Sequence, residues 1–171
     1  MGRTAFVDES KRRAYLLCAV VVDQSRLGEV RHELARARGS YGMIHMKSRN
    51  DAERLAYARM LAGLEVTGML FATRVKRARA ARDLLFEEMV PRLIALGVTE
   101  LVIESCQEDA EDRRLLRRLL GPAPELTYRH GSKSDLLLSL PDILAWAHGR
   151  GGRFRDAVKP VTTDHGRFGG P

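Results

Sequence analysis

Residues 14–22, Ala-Tyr-Leu-Leu-Cys-Ala-Val-Val-Val, form an apolar run with no polar interruption. A strand with one wet face alternates apolar and polar residues, so an unbroken run needs cover on both faces. It predicts a central strand with helices on either side, which restricts the chain to α/β architectures. Upstream, Phe6-Val7 starts a second buried strand, because aromatic and β-branched residues suit a pleated surface. Lys11-Arg12-Arg13 is the charged turn joining the two as a hairpin. Asp8-Glu9-Ser10 stands between that buried strand and the turn, and a carboxylate there is costly to bury without a cation.

After the hairpin, helical and strand patterns alternate. Asp23 or Ser25 is placed to cap a helix with Leu27, Val30 and Leu34 on one side, stopped by Gly39. Residues 42–47 alternate as a short edge strand, and Asn50-x-x-Glu53 has the form of a capping box opening a helix with Leu55, Ala58 and Leu61 inward. A strand over 65–75 leads into a basic patch at 74–82. A helix over 80–96 follows, with Leu85, Met89 and Leu93 on one stripe, a kink or break at Pro91 and Gly97 at its end. Residues 98–103 read as a strand delivering Glu104-Ser105. A helix over 108–120 then turns Leu115, Leu116 and Leu119 inward and Arg113, Arg114, Arg117 and Arg118 mostly outward. A final strand is expected at 126–129, and a last helix begins at Ser139-Leu-Pro-Asp142. This gives one domain over 1–150, a mixed α/β sheet, with 151–171 as a Gly-rich, basic and poorly ordered tail.

A chain of 171 residues suffices for one domain with a real core, and 44% apolar with 30% charged residues excludes disordered and membrane classes. No apolar stretch reaches the roughly eighteen residues of a spanning helix. The amino terminus lacks an apolar signal core, and Phe6 stands where a myristoylation signal takes Ser or Thr, so a cytoplasmic protein is expected. The net charge of +7 rests on 24 Arg against 5 Lys. Arginine grips phosphate as a fork, so a polyanionic partner fits, although a GC-rich genome yields the same composition. Cys18 and Cys106 belong to no Cys-x-x-Cys pair and read as buried reduced thiols.

Three acids share one kind of position: Asp8 ends the first strand, Glu104 ends the strand at 98–103, and Asp142 opens the last helix. Ligands of open α/β sheets gather beyond the carboxyl ends of strands. Carboxylates converging there would hold Mg²⁺ or Mn²⁺, and two such ions about 4 Å apart can activate water and steady the leaving oxygen of a phosphodiester. The spacing permits convergence without requiring it. Asp8 and Glu9 could do no more than polarise the turn, Glu104 could reach Arg113 or Arg114, and Asp142 could complete a capping pair with Ser139. Alternation turns Glu9 away from Asp8, which leaves Glu9 and Ser10 secondary. His45 and Lys47, two residues apart, either serve a scissile phosphate or a proton, or stand solvated on an edge. Lys133 and Asp135, in the polar loop before the last helix, are secondary candidates, and the face bearing Arg113 to Arg118 either grips phosphates or is solvated. No phosphate loop, zinc pattern or nucleophile elbow occurs.

Taken in order, Phe-Val-Asp8-Glu9-Ser10, Ile-His45-Met-Lys47, Leu-Val-Ile-Glu104-Ser105 and Leu-Pro-Asp142-Ile-Leu-Ala-Trp146-Ala resemble a large bacterial family of unknown function, over about residues 4–150. That family opens on an Asp-Glu-Ser signature, closes on an Ala-Asp-x-x-Ala-Trp-like helix and is assigned a ribonuclease H-like fold. The resemblance implies a three-stranded antiparallel unit continued by parallel strands, a mixed five-stranded sheet flanked by helices. It also implies strand cleavage with two metal ions held by clustered acids, Asp8 matching the first-strand acid, Glu104 the fourth-strand acid and Asp142 the last-helix acid. Glu104 stands where Asp is commoner, Pro141 replaces the usual Ala, and no counterpart of the first-helix acid is found, which leaves the metal count open. The expectation is a Mg²⁺- or Mn²⁺-dependent nuclease hydrolysing RNA or DNA phosphodiesters. Asp8, Glu104 and Asp142 would be its ligands, with His45 and Lys47 assisting. The alternative is a non-catalytic module that keeps the fold and binds nucleic acid or another partner. A nucleic acid is the expected partner, no membrane is, and a homodimer is compatible with the sequence.

Overall fold

The computed structural model describes residues 2–39 and 43–170. Its strands are β1 (Arg3–Ser10), β2 (Tyr15–Asp23), β3 (Val66–Thr73), β4 (Val98–Glu104), β5 (Thr127–Gly131) and β6 (Thr162–Phe168). They form one sheet in the order β5-β4-β1-β2-β3-β6. β1, β2 and β3 are an antiparallel meander, while β4 lies parallel to β1, β5 parallel to β4 and β6 parallel to β3. All strands but β2 therefore end at the same edge.

The apolar run at 14–22 became β2, with β1 on one side and β3 on the other. Its residues serve two cores by alternation. Leu17, Ala19 and Val21 pack with Leu85, Phe86, Met89 and Leu93 of α3 (Ala78–Ala95) and Leu115 and Leu116 of α4 (Asp109–Leu120). Cys18, Val20 and Val22 face the other way, onto α1 (Leu27–Arg38), α2 (Asp51–Gly63), α5 (Ser139–Arg150) and α6 (Gly152–Val158). Each fully buried aliphatic or aromatic side chain contributes about 2 kcal/mol, so an unbroken run is what a doubly covered strand requires. Gly68 on β3 lets α5 come close: a Cβ there would lie 2.5 Å from Leu144 Cδ2 and 3.1 Å from the Val161 carbonyl.

The capping box at Asn50 forms with both bonds, Glu53 N to Asn50 Oδ1 at 2.9 Å and Asn50 N to Glu53 Oε2 at 3.0 Å. Gly39 and Gly97, at φ 71° and 74°, end α1 and α3. The entry to α1 differs from expectation, because a 3₁₀ turn over Gln24–Arg26 intervenes and neither Asp23 nor Ser25 caps the helix. Asp23 instead accepts from Arg3 Nε at 2.8 Å. α3 runs unbroken through Pro91, which sits on its exposed side. The burial of Leu85, Phe86, Met89 and Leu93 outweighs the ~3 kcal/mol cost of an interior proline.

Two larger expectations are corrected. The described part of 42–47 is no edge strand, and Gly42 lies outside the described residues. Met43, Ile44 and Met46 are buried, Met46–Ser48 is a 3₁₀ turn, and the backbone amides bond to side chains of α5 instead of a neighbouring strand. Residues 152–168, expected to lie in a poorly ordered tail, supply α6 and β6, and β6 makes the sheet six-stranded instead of five-stranded. Aromatic contacts account for the order: buried Phe154 meets Trp146 edge to face at 5.0 Å, and half-buried Phe168 stacks 6.1 Å from Phe71. Among the described residues, no helix is long and apolar enough to cross a membrane.

Candidate functional site

β1 sends Phe6 toward α5 and Val7 toward α3, so period-two alternation turns Asp8 to the α5 face. β4 runs parallel to β1 with Val7 opposite Ile103, which brings Glu104 level with Asp8 one step on and facing the same way. Asp142 lies in the first turn of α5, the helix packed over these strands. Burial pushes the Asp8 carboxyl up to about 8, aided by its hydrogen bond and charge repulsion with Glu104 and by the Asp142 charge, against an opposing bond from Glu9 N at 2.7 Å. Burial also raises Asp142, and Glu104 adds to it, while Met46 N, His45 and Arg12 pull the other way. The fold has thus brought Asp8, Glu104 and Asp142 together. Without a cation, burial and the two neighbouring acids favour the protonated form of the Asp8 carboxyl.

The segment at 43–47 wraps the Asp142 end of the cluster. Ile44 N donates to Ser139 Oγ at 3.0 Å and Met46 N to Asp142 Oδ2 at 2.9 Å. Arg54 braces the other side, donating to the carbonyls of Met46 at 2.8 Å and Lys47 at 2.9 Å. So Ser139 and Asp142 hold a loop and do not cap their own helix. His45 is exposed and near enough for its charge to act on Asp142. Lys47 is exposed beside it in sequence, with its carbonyl taken by Arg54. Sequence reasoning missed Arg54 and Ser139, whose roles depend on partners 8 and 95 residues away.

The remaining candidates fall elsewhere. Glu9 points to the opposite face, where it accepts from Arg82 Nη1 at 2.7 Å and from the Tyr15 hydroxyl. Ser10 follows Asp8 on the same face and lines a groove of about 400 Å³ with Arg12, Arg13, His148 and Arg155. Asp135 caps the turn before α5 through Leu137 N at 3.1 Å and lies 3.7 Å from Arg129. Lys133 is exposed in that loop. The arginines of α4 are outward, Arg114 near Glu111 and Arg118 near Glu87, so Glu104 is not their partner.

Among the described residues, the one set of three metal-ligand atoms lying within 4.8 Å of one another is Cys106, Asp109 and Asp112. The oxygens of Asp8, Glu104 and Asp142 do not all close to that span. The Cys106 set has the wrong electrostatics for a cation. Asp112, fully buried, is clasped by Arg82 Nε at 2.9 Å and Nη2 at 2.8 Å and by Arg79 Nη1 at 3.1 Å, and His130 lies 3.4 Å away. Burial opposes ionisation of Asp112, but the Arg82 bonds and charge win and hold its carboxyl below the usual range. Asp109 accepts from Ser105 Oγ at 2.6 Å and Cys106 N at 2.8 Å. This cluster already has its counter-charges. The Asp8 cluster does not, and its all-oxygen donors suit a hard divalent cation.

No family model matches the sequence, and no curated protein matches it. Solved structures do match. A glutamine-to-alanine mutant of Bst-RNase HIII superposes with a TM-score of 0.56 at 11% identity, over 90% of this chain and 59% of that one. Bst-RNase HIII in complex with Mn²⁺ gives 0.53 at 11% identity, over 87% of this chain and 55% of that one. The chain spans less than two thirds of either neighbour. At such identity the likeness speaks for architecture, and together with the β3-β2-β1-β4-β5 order and the helices on both faces it shows a ribonuclease H-like fold.

Proposed function

We propose that this protein is a metal-dependent nuclease that hydrolyses the phosphodiester bonds of RNA or DNA, with Asp8, Glu104 and Asp142 as its metal ligands. The observation that carries the reading is the meeting of three acids from β1, β4 and α5 with an unneutralised Asp8, pushed up to about 8, among them. A protein gains nothing in stability from such an arrangement, whereas a divalent cation would turn repulsion into ligation. The likeness to a ribonuclease H-like protein solved with Mn²⁺ supports the same choice of metal, Mg²⁺ or Mn²⁺.

An ion of that kind, held by Asp8, Glu104 and Asp142, would supply a charged clamp on the phosphodiester and a water made nucleophilic near neutral pH. To hold it, the chain would give up the proton favoured on Asp8, so ion uptake would be accompanied by proton release. Met46 N fixes one oxygen of Asp142 and leaves the other for ligation. His45, exposed and near enough for its charge to act on Asp142, would hand a proton to the leaving oxygen, and Lys47, also exposed, would face a phosphate.

The test is cleavage of labelled single- and double-stranded RNA and DNA with Mg²⁺ or Mn²⁺, beside an Asp8→Asn variant. Metal-dependent cleavage that disappears in the variant is expected. Salt-sensitive binding with no cleavage, unchanged in the variant, would instead identify the non-catalytic binding module.

A further inference from the structure

Two surface grooves meet at the β1–β2 turn. One, of about 400 Å³, is lined by Ser10, Arg12, Arg13, His148, Arg155 and Arg167, and the other, of about 410 Å³, by Lys11, Arg12, Arg13, Arg74 and Lys76. They share Arg12, Arg13 and Ala14, so they form one path across the edge of the sheet at which β1, β3 and β6 end. Arg12, Arg13, Arg74, Lys76, Arg155 and Arg167 are all exposed, and among the described residues none lies within 4.0 Å of a carboxylate. Asp164, 3.9 Å from His148, is the acid of the first groove, and the second is lined by none.

On the β5 side of the sheet edge the arginines are committed, while Lys133, exposed past β5, makes no ion pair among the described residues. Beyond β4, Arg79 is bound to Asp83, Glu108 and Asp112, Arg82 to Asp112 and Glu9, and Arg129 to Glu100. The row of uncommitted arginines is therefore one-sided. It starts next to the acids, since Ser10 follows Asp8 on the same face of β1 and the Arg12 charge acts on Asp142. From there it leads over the turn toward β3 and β6 and away from β5.

We propose that this path carries the phosphodiester backbone of a nucleic-acid strand on one side of the acids only. Unpaired cations in a row, mostly arginine, match a repeating anion, and among the described residues the lining offers no exposed aromatic or large apolar anchor of the kind a protein partner would use. Contacts to the backbone alone position a strand without reading its sequence. The proposal rests on the nuclease reading for what happens at the acids and stands apart from it for what is bound.

The experiment is anisotropy titration of a labelled oligonucleotide with metal-free protein across a salt series. It compares Arg13→Ala/Arg74→Ala on the path with Arg113→Ala/Arg117→Ala on the outer face of α4. All four positions are exposed, and equal melting temperatures establish that each variant is folded. The path pair should lose affinity by ~10-fold or more near 0.1 M salt and take about 1.4 off the slope of log K against log salt, two contacts at ~0.7 each for a single strand. The α4 pair should change neither. Oligonucleotides with methylphosphonate linkages on one side of a central site should bind less tightly than those neutralised on the other side. Unchanged binding by the path pair, equal losses in both pairs, or no binding by the parent protein would overturn the proposal. If the parent protein binds through the path but never cleaves, the nuclease reading falls and the path stands; if it cleaves while the path pair binds normally, the reverse holds.

Discussion

Replacing Asp8 by Asn should make the metal-free protein more stable and the metal response disappear, and the two effects together separate a functional carboxylate from a structural one. The folded protein holds the Asp8 proton up to about pH 8, against an ordinary value of 3.8. A group raised in this way favours folding below pH 4, and its contribution is lost as pH rises toward 8. At ~1.4 kcal/mol per pH unit the cost at pH 8 has a ceiling of ~5 kcal/mol. The substituted asparagine would carry no charge, could still accept from Glu9 N and would offer Glu104 an N–H where Asp8 offers its proton. Because the carboxyl is not fully buried, part of the ceiling is screened, and we expect a gain of ~2 kcal/mol at pH 8 and almost none at pH 4. For a chain of this length that is a rise of roughly 4–8 °C in Tm.

The assay is thermal melting in chelator at several pH values, repeated with excess Mn²⁺. The gap between variant and parent should widen with pH in chelator, and Mn²⁺ should raise the parent and leave the variant unmoved. A variant less stable than the parent at pH 8, or a gap that does not change with pH, would show that Asp8 is compensated in the fold. The reasoning about the cluster would then fail.

Other perturbations follow from the same contacts. Arg82→Ala strips the guanidinium from the fully buried Asp112 and should cost ~3–5 kcal/mol, with Asp112→Asn in the same chain recovering part of it; chemical denaturation reads both. Gly68→Ala drives a methyl into Leu144 and the Val161 carbonyl and should cost ~1–3 kcal/mol, whereas exposed Thr67→Ala should stay within ~0.5 kcal/mol. Ending the chain after Gly151 removes β6 and bares the β3 edge, so the product should associate in gel filtration where the full chain runs as a smaller species.

Much of this was legible because it rests on local periodicity. The unbroken run at 14–22 could only be a doubly covered strand, and the Asn50-x-x-Glu53 signal could be recognised from four residues. The placement of Asp8 against Glu9 followed from strand alternation alone, and the opposite faces of the two are seen in their partners. The failures were long-range. Nothing near residue 46 announces that its amide belongs to Asp142, 96 residues on. The Gly-rich, basic composition of 151–171 concealed Phe154, Val158 and Phe168, which carry the order of that segment through partners already in place. Nothing in the sequence pairs Arg82, at the end of the basic stretch 74–82, with Asp112, and only the packing of α3 against α4 makes them a buried pair.

The fates of Asp8 and Glu9 bear on function more directly than any single distance. They are neighbours on one strand, in a chain with 24 arginines to spare. Glu9 receives Arg82 and Lys11, the first at 2.7 Å and the second at 2.9 Å. The charges that dominate at Asp8 are Glu104 and Asp142, both of its own sign. An arginine delivered to the α5 face would remove that penalty, as Arg82 does for Asp112 on the other. The arginine that acts there is Arg12, behind His45 in effect on Asp142; it sits on an exposed turn and stacks 5.6 Å over Trp146 without closing on a carboxylate. One face of the sheet thus neutralises its buried acids and the other leaves them short of positive charge. Folding alone supplies no reason for that difference, and a cation that arrives from solution does.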